Sequence, residues 1–487
     1  MKRTISISLA LIITVLFCFS CGKTASSGNG SDTTAANDTT KAPVNDTTEA
    51  STNATTEAPV VEVDPFEGVD LGGFNLRVLN PEGRLWDTLS MFDFAEQTGE
   101  LVYDAIYMRN RLVEEKLNMT IEVIYPTSGK TYKDFSKAME AGEDLYDAVF
   151  IRSNQLSPNM ASGYFYNLHT LEDIDLKQEW WYPTFNQNLI LEGNKLYQVA
   201  TPSHFMSFDQ TVACYFNKSM LERSNVAAPY DLVREGKWTY DEMYKYMKQF
   251  VNTNGDEKFD EKGNSTFGVA TFGGWLGILS ANADGLVKLD QKGKPYFAGA
   301  SESFINYVDK LSNVFGAEGY QCGDSSTYAN LFYEGRAAFS LIAIGNASIF
   351  RDMDNEYGIL PAPKYSETDE YKSPMGISLL LTIPSTSKTA EKTAKVFNAL
   401  SYYSYRDVFP LYYESLCYKG LRDADSIDML KIISNSRWAD IGAVYGWTYN
   451  DLNTMGNNLL EGTLNVASYI ESVRSNIEAS IKAAMNY

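Results

Sequence analysis

The chain has 487 residues, a formal net charge of −21, 32 Tyr, 25 Phe and 7 Trp, and only two His. That length exceeds one compact core, so two lobes of ordinary domain size are expected. Lys and Arg cluster nowhere outside the extreme N-terminus, which excludes a nucleic-acid partner and disfavours an anionic ligand.

Lys2 and Arg3, the apolar run Ile5 to Phe19 and then Ser20-Cys21-Gly22 form a basic region, a hydrophobic region and a small-residue cleavage site. The run is too short to span a bilayer, so residues 1–20 read as a signal peptide. Ser20-Cys21-Gly22 resembles a bacterial lipobox, which implies lipidation of Cys21, with Cys18 and Phe19 departing from the usual pattern. Lys23 to Val60 is Ser, Thr, Asn, Ala and Glu with almost no large apolar residue, and cannot bury enough surface to fold. Residues 21–62 are therefore expected to be a lipidated Cys21 and a flexible tether. Cys214, Cys322 and Cys417, widely spaced, cannot make a disulfide framework and read as buried small hydrophobes.

The folded body opens at Val69-Asp70-Leu71-Gly72-Gly73, and Phe74–Leu79 alternates as a strand. Leu101–Leu117 has helical spacing, Met119–Ile124 is the next strand, Lys133–Ala141 is helical and Tyr146–Ile151 is a third strand. This alternation predicts a mainly parallel sheet. Further on, Thr239 or Asp241 can cap a helix, Phe267–Ala270 reads as a strand and Phe304–Phe315 as an amphipathic helix. Tyr328 to Tyr333 closes a helix that Gly335 ends, and Ala337–Ile344 is an apolar run of buried-strand type. Gly345-Asn346-Ala347-Ser348 then turns the chain, and Tyr357–Pro361 starts another strand. Gly376–Ile383 is again of buried-strand type. Helices are expected over Thr389–Tyr405 and Leu464–Met485.

A helix ending FxxGxAA, a hydrophobic strand, a small-polar turn and then YGxLPxPK resemble the return segment of family 1 extracellular solute-binding proteins, which include maltose-binding protein. QTVACYFNK resembles the family's first crossing, which implies a strand in Gln210–Lys218, and the helix start at Trp238-Thr239-Tyr240-Asp241-Glu242 its PxTWxE pattern, which implies a helix within Pro229–Phe250. ELVYDAIYMRNRLVEEKLNMTIEV resembles the opening of solute-binding lipoproteins from anaerobic bacteria. The resemblance implies an α/β, two-lobe periplasmic-binding-protein-like fold (type II), each lobe a mainly parallel sheet flanked by helices. Residues 63–203 and 357–403 would form lobe 1, and residues 204–356 and 404–487 lobe 2. Crossings would fall near 200–208, 354–357 and 402–407, with the ligand in the cleft between the lobes.

His169 and His204 lie far apart, and no GxSxG, HExxH or GxxxxGK(S/T) occurs, so the expectation is that the chain is not an enzyme. Asn252, Asn254, Asp256 and Asp260 resemble half of an EF-hand loop and are calcium candidates. Glu257 and Gly263 break that pattern, and a solvated turn is the alternative. No cofactor is expected. Sugars present C–H faces and hydroxyl rims, which call for aromatic faces with Asp, Asn and Arg around them. At strand ends and loops these are Trp86, Arg152, Asn154, Asp209, Trp275, Asn346, Trp438 and Trp447. The resemblance places Arg152 and Asn154 after the third strand, Asp209 in the first crossing, Trp275 in an aromatic loop of lobe 2, and Trp447 at a late aromatic position. Asn346 stands where the maltose binder carries an aromatic. Trp180 and Trp181 read as packing. The function implied is a monomeric, lipid-anchored receptor on the outer face of the cell membrane that delivers a carbohydrate, expected to be an oligosaccharide, to an ABC permease. The alternatives are a surface glycan-binding or sensory protein, or a peptide-binding receptor.

Overall fold

The computed structural model describes residues 64–85, 88–316, 321–322, 328–416, 421 and 423–486. The signal segment, Cys21, the tether, Trp86 and Cys417 lie outside them. Apolar alternation yields β1 (Phe74–Leu79), whose Leu76 and Val78 are buried. Next comes α1 (Leu101–Leu117), ended by Asn118 in the left-handed conformation, and β2 (Met119–Ile124). They are followed by α2 (Thr131–Ala141) and β3 (Ala148–Arg152). Beyond these lie β4 (Val212–Asn217), β5 (Phe267–Thr271), α3 (Gly273–Ser280), β6 (Gln321–Cys322), β7 (Ala337–Ala343) and β8 (Tyr357–Pro361). The chain closes with β9 (Leu379–Thr382), α4 (Ala390–Tyr403), α5 (Tyr449–Leu460) and α6 (Val466–Met485).

Two main sheets form, ordered β9-β3-β1-β2 and β6-β5-β7-β4-β8, beside three two-stranded ones. In the first, β1 pairs in parallel with β2 and β3, and β9 is antiparallel to β3. In the second, β5 is parallel to β6 and β7, but β4 is antiparallel to both β7 and β8. The expectation of mainly parallel pairing therefore holds in the first sheet and fails in the second. The reason is topological: β4 enters the second sheet straight from a crossing rather than over a helical crossover, so nothing forces it parallel. Every residue of β4, β7 and β8 is buried, which accounts for their unbroken apolar runs.

The chain leaves the first sheet after Val199, which bridges to Leu381, and enters the second at Val212. Because β8 still belongs to the second sheet, the return falls between Pro361 and Leu379, later than the expected 354–357. A π-helical turn, Ser404–Val408, runs on from α4, over the stretch where the third crossing is expected. The expected long helix over 229–250 is two, Tyr230–Arg234 and Tyr240–Met247, and Thr239 Oγ1 caps the second by accepting from Glu242 N.

Trp180 and Trp181 both donate their indole N–H to Asn398 Oδ1, so they pack against α4. Cys214 is a free, buried thiol. Residues 63–487 form one compact unit, and no described helix is long and apolar enough to cross a membrane.

Candidate functional site

Helix α3 corrects a sequence expectation. The stretch FGGWLGILS, read as an aromatic loop, is helical because its glycines let α5 come close. A Cβ on Gly277 would lie 2.1 Å from Leu452 O, and one on Gly456 1.8 Å from Gly273 O. This close approach holds Trp275, on the first turn of α3, at the C-terminal edge of β5. The turn after β7 is likewise helical rather than a plain loop: a 3-10 turn over Ile344–Asn346 runs into a short helix, Ala347–Phe350.

From Trp275 a continuous ring of contacts joins the two sheets. The Trp275 ring backs onto Gly376, where a Cβ would stand 2.7 Å from Cζ3. Two residues on, Ser378 O accepts from Ser153 N at 2.8 Å, at the end of β3. The neighbouring Asn154 has its carbonyl against Gly446, where a Cβ would lie 2.2 Å from Asn154 O. Trp447 follows Gly446, and Asn453 on α5 sets its Oδ1 2.5 Å from where a Cβ of Gly274 would be, beside Trp275. Along this ring Asn154 Oδ1, Trp275 Nε1, Ser378 Oγ, Trp447 Nε1 and Asn453 Oδ1 are buried without a hydrogen-bond partner in the protein. An unmet buried donor or acceptor costs about 1–3 kcal/mol, so five along one ring of contacts make it a candidate site for polar groups from outside the chain.

Of the residues singled out in the sequence, Asn154, Trp275 and Trp447 thus come together. Trp447 is only 3% exposed, with its ring stacked on Tyr445 at 5.1 Å, and presents an N–H rather than an open face. Arg152 sits at the rim, lining a cavity of about 230 Å³ with Pro81, Lys130, Tyr132, Gln155 and Leu379 at the C-terminal ends of β1, β2 and β3.

Asp209 is buried and accepts from the Tyr412 hydroxyl, while Gln210 O next to it accepts from Gly376 N at 2.9 Å. Asn346 is buried in the turn that packs on Met206–Asp209. The Trp438 side chain is committed elsewhere: its N–H donates to Asn282 Oδ1 at 2.7 Å and Lys372 Nζ lies 5.3 Å from its ring centroid.

Sequence reasoning missed Asn453, Ser378, Gly376 and Gly446. Only the paired glycines of FGGWLG hinted that a second helix approaches there.

The calcium candidates form a turn closed by its own hydrogen bonds. Asp256 Oδ2 accepts from Asn264 N, Ser265 N and Ser265 Oγ at 2.7–2.8 Å, and Asp260 Oδ1 from Lys262 N. Asn254 N donates to Asn252 Oδ1, and Arg336 donates to the carbonyls of Asp260, Glu261 and Ser265. Among the described residues no three His, Cys, Asp or Glu side chains converge as a metal site. His169 is exposed and His204 buried, its imidazole pushed down to about 4 by desolvation.

The model of the bacterial extracellular solute-binding protein family matches residues 107–401, more than half of the chain. The chain belongs to that family. Family members bind solutes for ABC transport rather than transform them. No curated protein matches at the sequence level. Among solved structures, this solute-binding protein is similar to a sugar transporter component from Rhizobium etli in an open conformation, at 13% identity over 84% of this chain and 100% of that one, TM-score 0.58. It is also similar to a cyclo/maltodextrin-binding protein complexed with maltotetraose, at 13% identity over 87% and 99%, TM-score 0.56. A third is an ABC substrate-binding protein from Listeria monocytogenes in complex with cycloalternan, at 11% identity over 86% and 100%, TM-score 0.54. At these identities the likeness is one of fold, the type II periplasmic-binding-protein fold.

In this solute-binding protein the segment that carries Gly446 and Trp447 is held by Asp440, whose Oδ1 accepts from Ala443 N at 2.7 Å. Burial pushes that carboxyl from 3.8 up to about 6, and hydrogen bonds from Ala443 and Thr448 offset part of the rise. The folded state therefore keeps a proton that the unfolded chain releases. Its stabilisation is complete below pH 3.8 and is lost as pH rises through 6. Asp440→Asn keeps the acceptor and removes the charge. It should raise stability at pH 7.5 by about 1–2 kcal/mol more than at pH 4. Denaturant melts at both pH values check this, and an equal change at the two would refute it.

Proposed function

We propose that this solute-binding protein captures a neutral oligosaccharide in a cleft between two lobes, delivers it to an ABC permease, and is held at the outer face of the cell membrane by a lipid on Cys21. The lobes are residues 64–203 with the segment from Leu379 to Tyr403, and residues 204–361 with the C-terminal helices. The observation that carries the reading is the ring bearing five unpartnered polar atoms, with Trp275 and Trp447 in it. Each sugar hydroxyl is both donor and acceptor, so one ligand class meets indole N–H groups and amide oxygens alike, while pyranose C–H faces suit the Trp275 ring. The sugar ligands of the maltodextrin and cycloalternan binders point the same way. The net charge of −21 argues for a neutral ligand. Lipid anchoring rests on the Ser20-Cys21-Gly22 pattern alone.

Isothermal titration against neutral glycans, uronate-bearing glycans and peptides tests this, with micromolar or tighter binding expected only for neutral glycans. Tight peptide binding without any sugar response would overturn the carbohydrate assignment.

A further inference from the structure

Arg109 on α1 is only 2% exposed, yet all five of its N–H donors are used. Nη1 donates to Ser203 O at 3.0 Å and to Ser404 Oγ at 2.9 Å. Nη2 donates to Phe92 O and to Asn110 Oδ1, and Nε to Asn110 Oδ1. None of these acceptors is a carboxylate; the nearby Asp93 is held by Asn110 and Arg111. A buried cation among neutral acceptors is costly, so its geometry rather than its charge is what the site uses. The two partners on Nη1 are telling. Ser203 lies in the first crossing, four residues after the chain leaves the first sheet at Val199, and Ser404 is the first residue of the π-helical third crossing. A second stitch ties the first of these segments to the last turn of α4, just before Ser404: Thr201 Oγ1 lies 2.8 Å from Ser203 Oγ and 2.7 Å from Ser401 Oγ.

We propose that Arg109 is a positioning residue for ligand capture, anchoring the first and third crossings to α1 so that they bend together. This rests on the two-lobe reading above. Because the guanidinium holds Ser203 and Ser404 fixed to lobe 1, bending falls just downstream, over residues 204–211 and the π turn 404–408, whose wider hydrogen-bond rings yield more readily than an α-helix. Two hinge strands anchored to one planar fork open and close as a unit, so a displacement of either is felt by the other. The first crossing ends at Gln210, whose carbonyl accepts from Gly376 behind Trp275, so this motion reaches the ring directly.

Hydrogen–deuterium exchange on the ligand-free full chain tests the coupling. Ser404→Ala removes the bond from Arg109 Nη1 together with the Ser404 hydroxyl's own donation to Leu400 O at 2.6 Å, and leaves Ser203 untouched, so the response over 203–211 is the one that reports coupling. We expect amide exchange to quicken roughly ten- to a hundred-fold over 404–408 and also over 203–211, the range that one hydrogen bond to a charged group commands. Arg109→Met should produce the same paired response more strongly. Arg109→Lys, which cannot fork, should leave at least one of the two crossings fast. Faster exchange confined to 404–408 in Ser404→Ala, with 203–211 as in wild type, would overturn the proposal. A lowered melting temperature with unchanged exchange in both crossings would overturn it equally and leave Arg109 a plain packing residue. If Arg109→Met fails to fold, Ser404→Ala still decides. None of these readouts needs a ligand, so a protein that binds no glycan would defeat the carbohydrate reading without touching this one.

Discussion

Trp275→Ala should weaken oligosaccharide binding roughly 30- to 1,000-fold while leaving the protein folded. The ring is half-buried rather than a core element, resting on Gly376 with Phe272 edge-on at 6.2 Å, and its N–H has no partner in the protein. Removing it takes away an apolar face worth about 1–3 kcal/mol to a stacked sugar and a buried donor worth about 1 kcal/mol more. Titration of the variant with the best neutral glycan reads the loss directly. An unchanged affinity would mean that Trp275 packs against Gly376 and does nothing else. Trp447 does not offer the same clean test, contrary to what the sequence suggests. Its ring is buried against Tyr445, so truncation to Ala would cost on the order of 3–5 kcal/mol of fold stability and confound the binding measurement. Trp447→Phe keeps most of the packing and removes the N–H, and should weaken binding several-fold.

Gly446→Val is expected to destabilise the protein by about 2–5 kcal/mol. Two independent effects act at this residue. Its φ of +81° lies in the left-handed region, where a β-branched residue is strained by about 1–2 kcal/mol or more. Its Cβ would also meet the Asn154 carbonyl at 2.2 Å, and that neighbour is backbone, so it cannot turn aside as a side chain would. Relief requires the end of β3 and the 440–448 segment to part, which opens the ring between the two sheets. A lowered denaturant midpoint and lost sugar affinity should therefore appear together. A fully stable variant with unaltered binding would show that this contact does not join the two sides.

Much of the fold was legible because local patterns decide local structure. The apolar alternation and helical spacing in Phe74–Leu79, Leu101–Leu117 and Met119–Ile124 were read with the bounds the structure shows, and the apolar runs at Ala337–Ala343 and Tyr357–Pro361 marked strands that are buried throughout. The order of motifs also placed the chain in its family. What the sequence could not settle depends on residues distant along the chain. β4 and β7 look alike as apolar runs, yet they are antiparallel because β4 enters from a crossing, which no periodicity records. FGGWLGILS reads as an aromatic loop by its resemblance to the family and is a helix whose glycines let α5 pack close. Asp209 has the chemistry of a ligand contact but meets Tyr412, some two hundred residues away in sequence. The composition and motifs of this chain determined its class and most of its elements. Only the tertiary structure decided which polar groups satisfy one another and which, Trp275 Nε1 and Asn154 Oδ1 among them, are left without a partner in the protein, because hydrogen-bond satisfaction is a property of the folded neighbourhood.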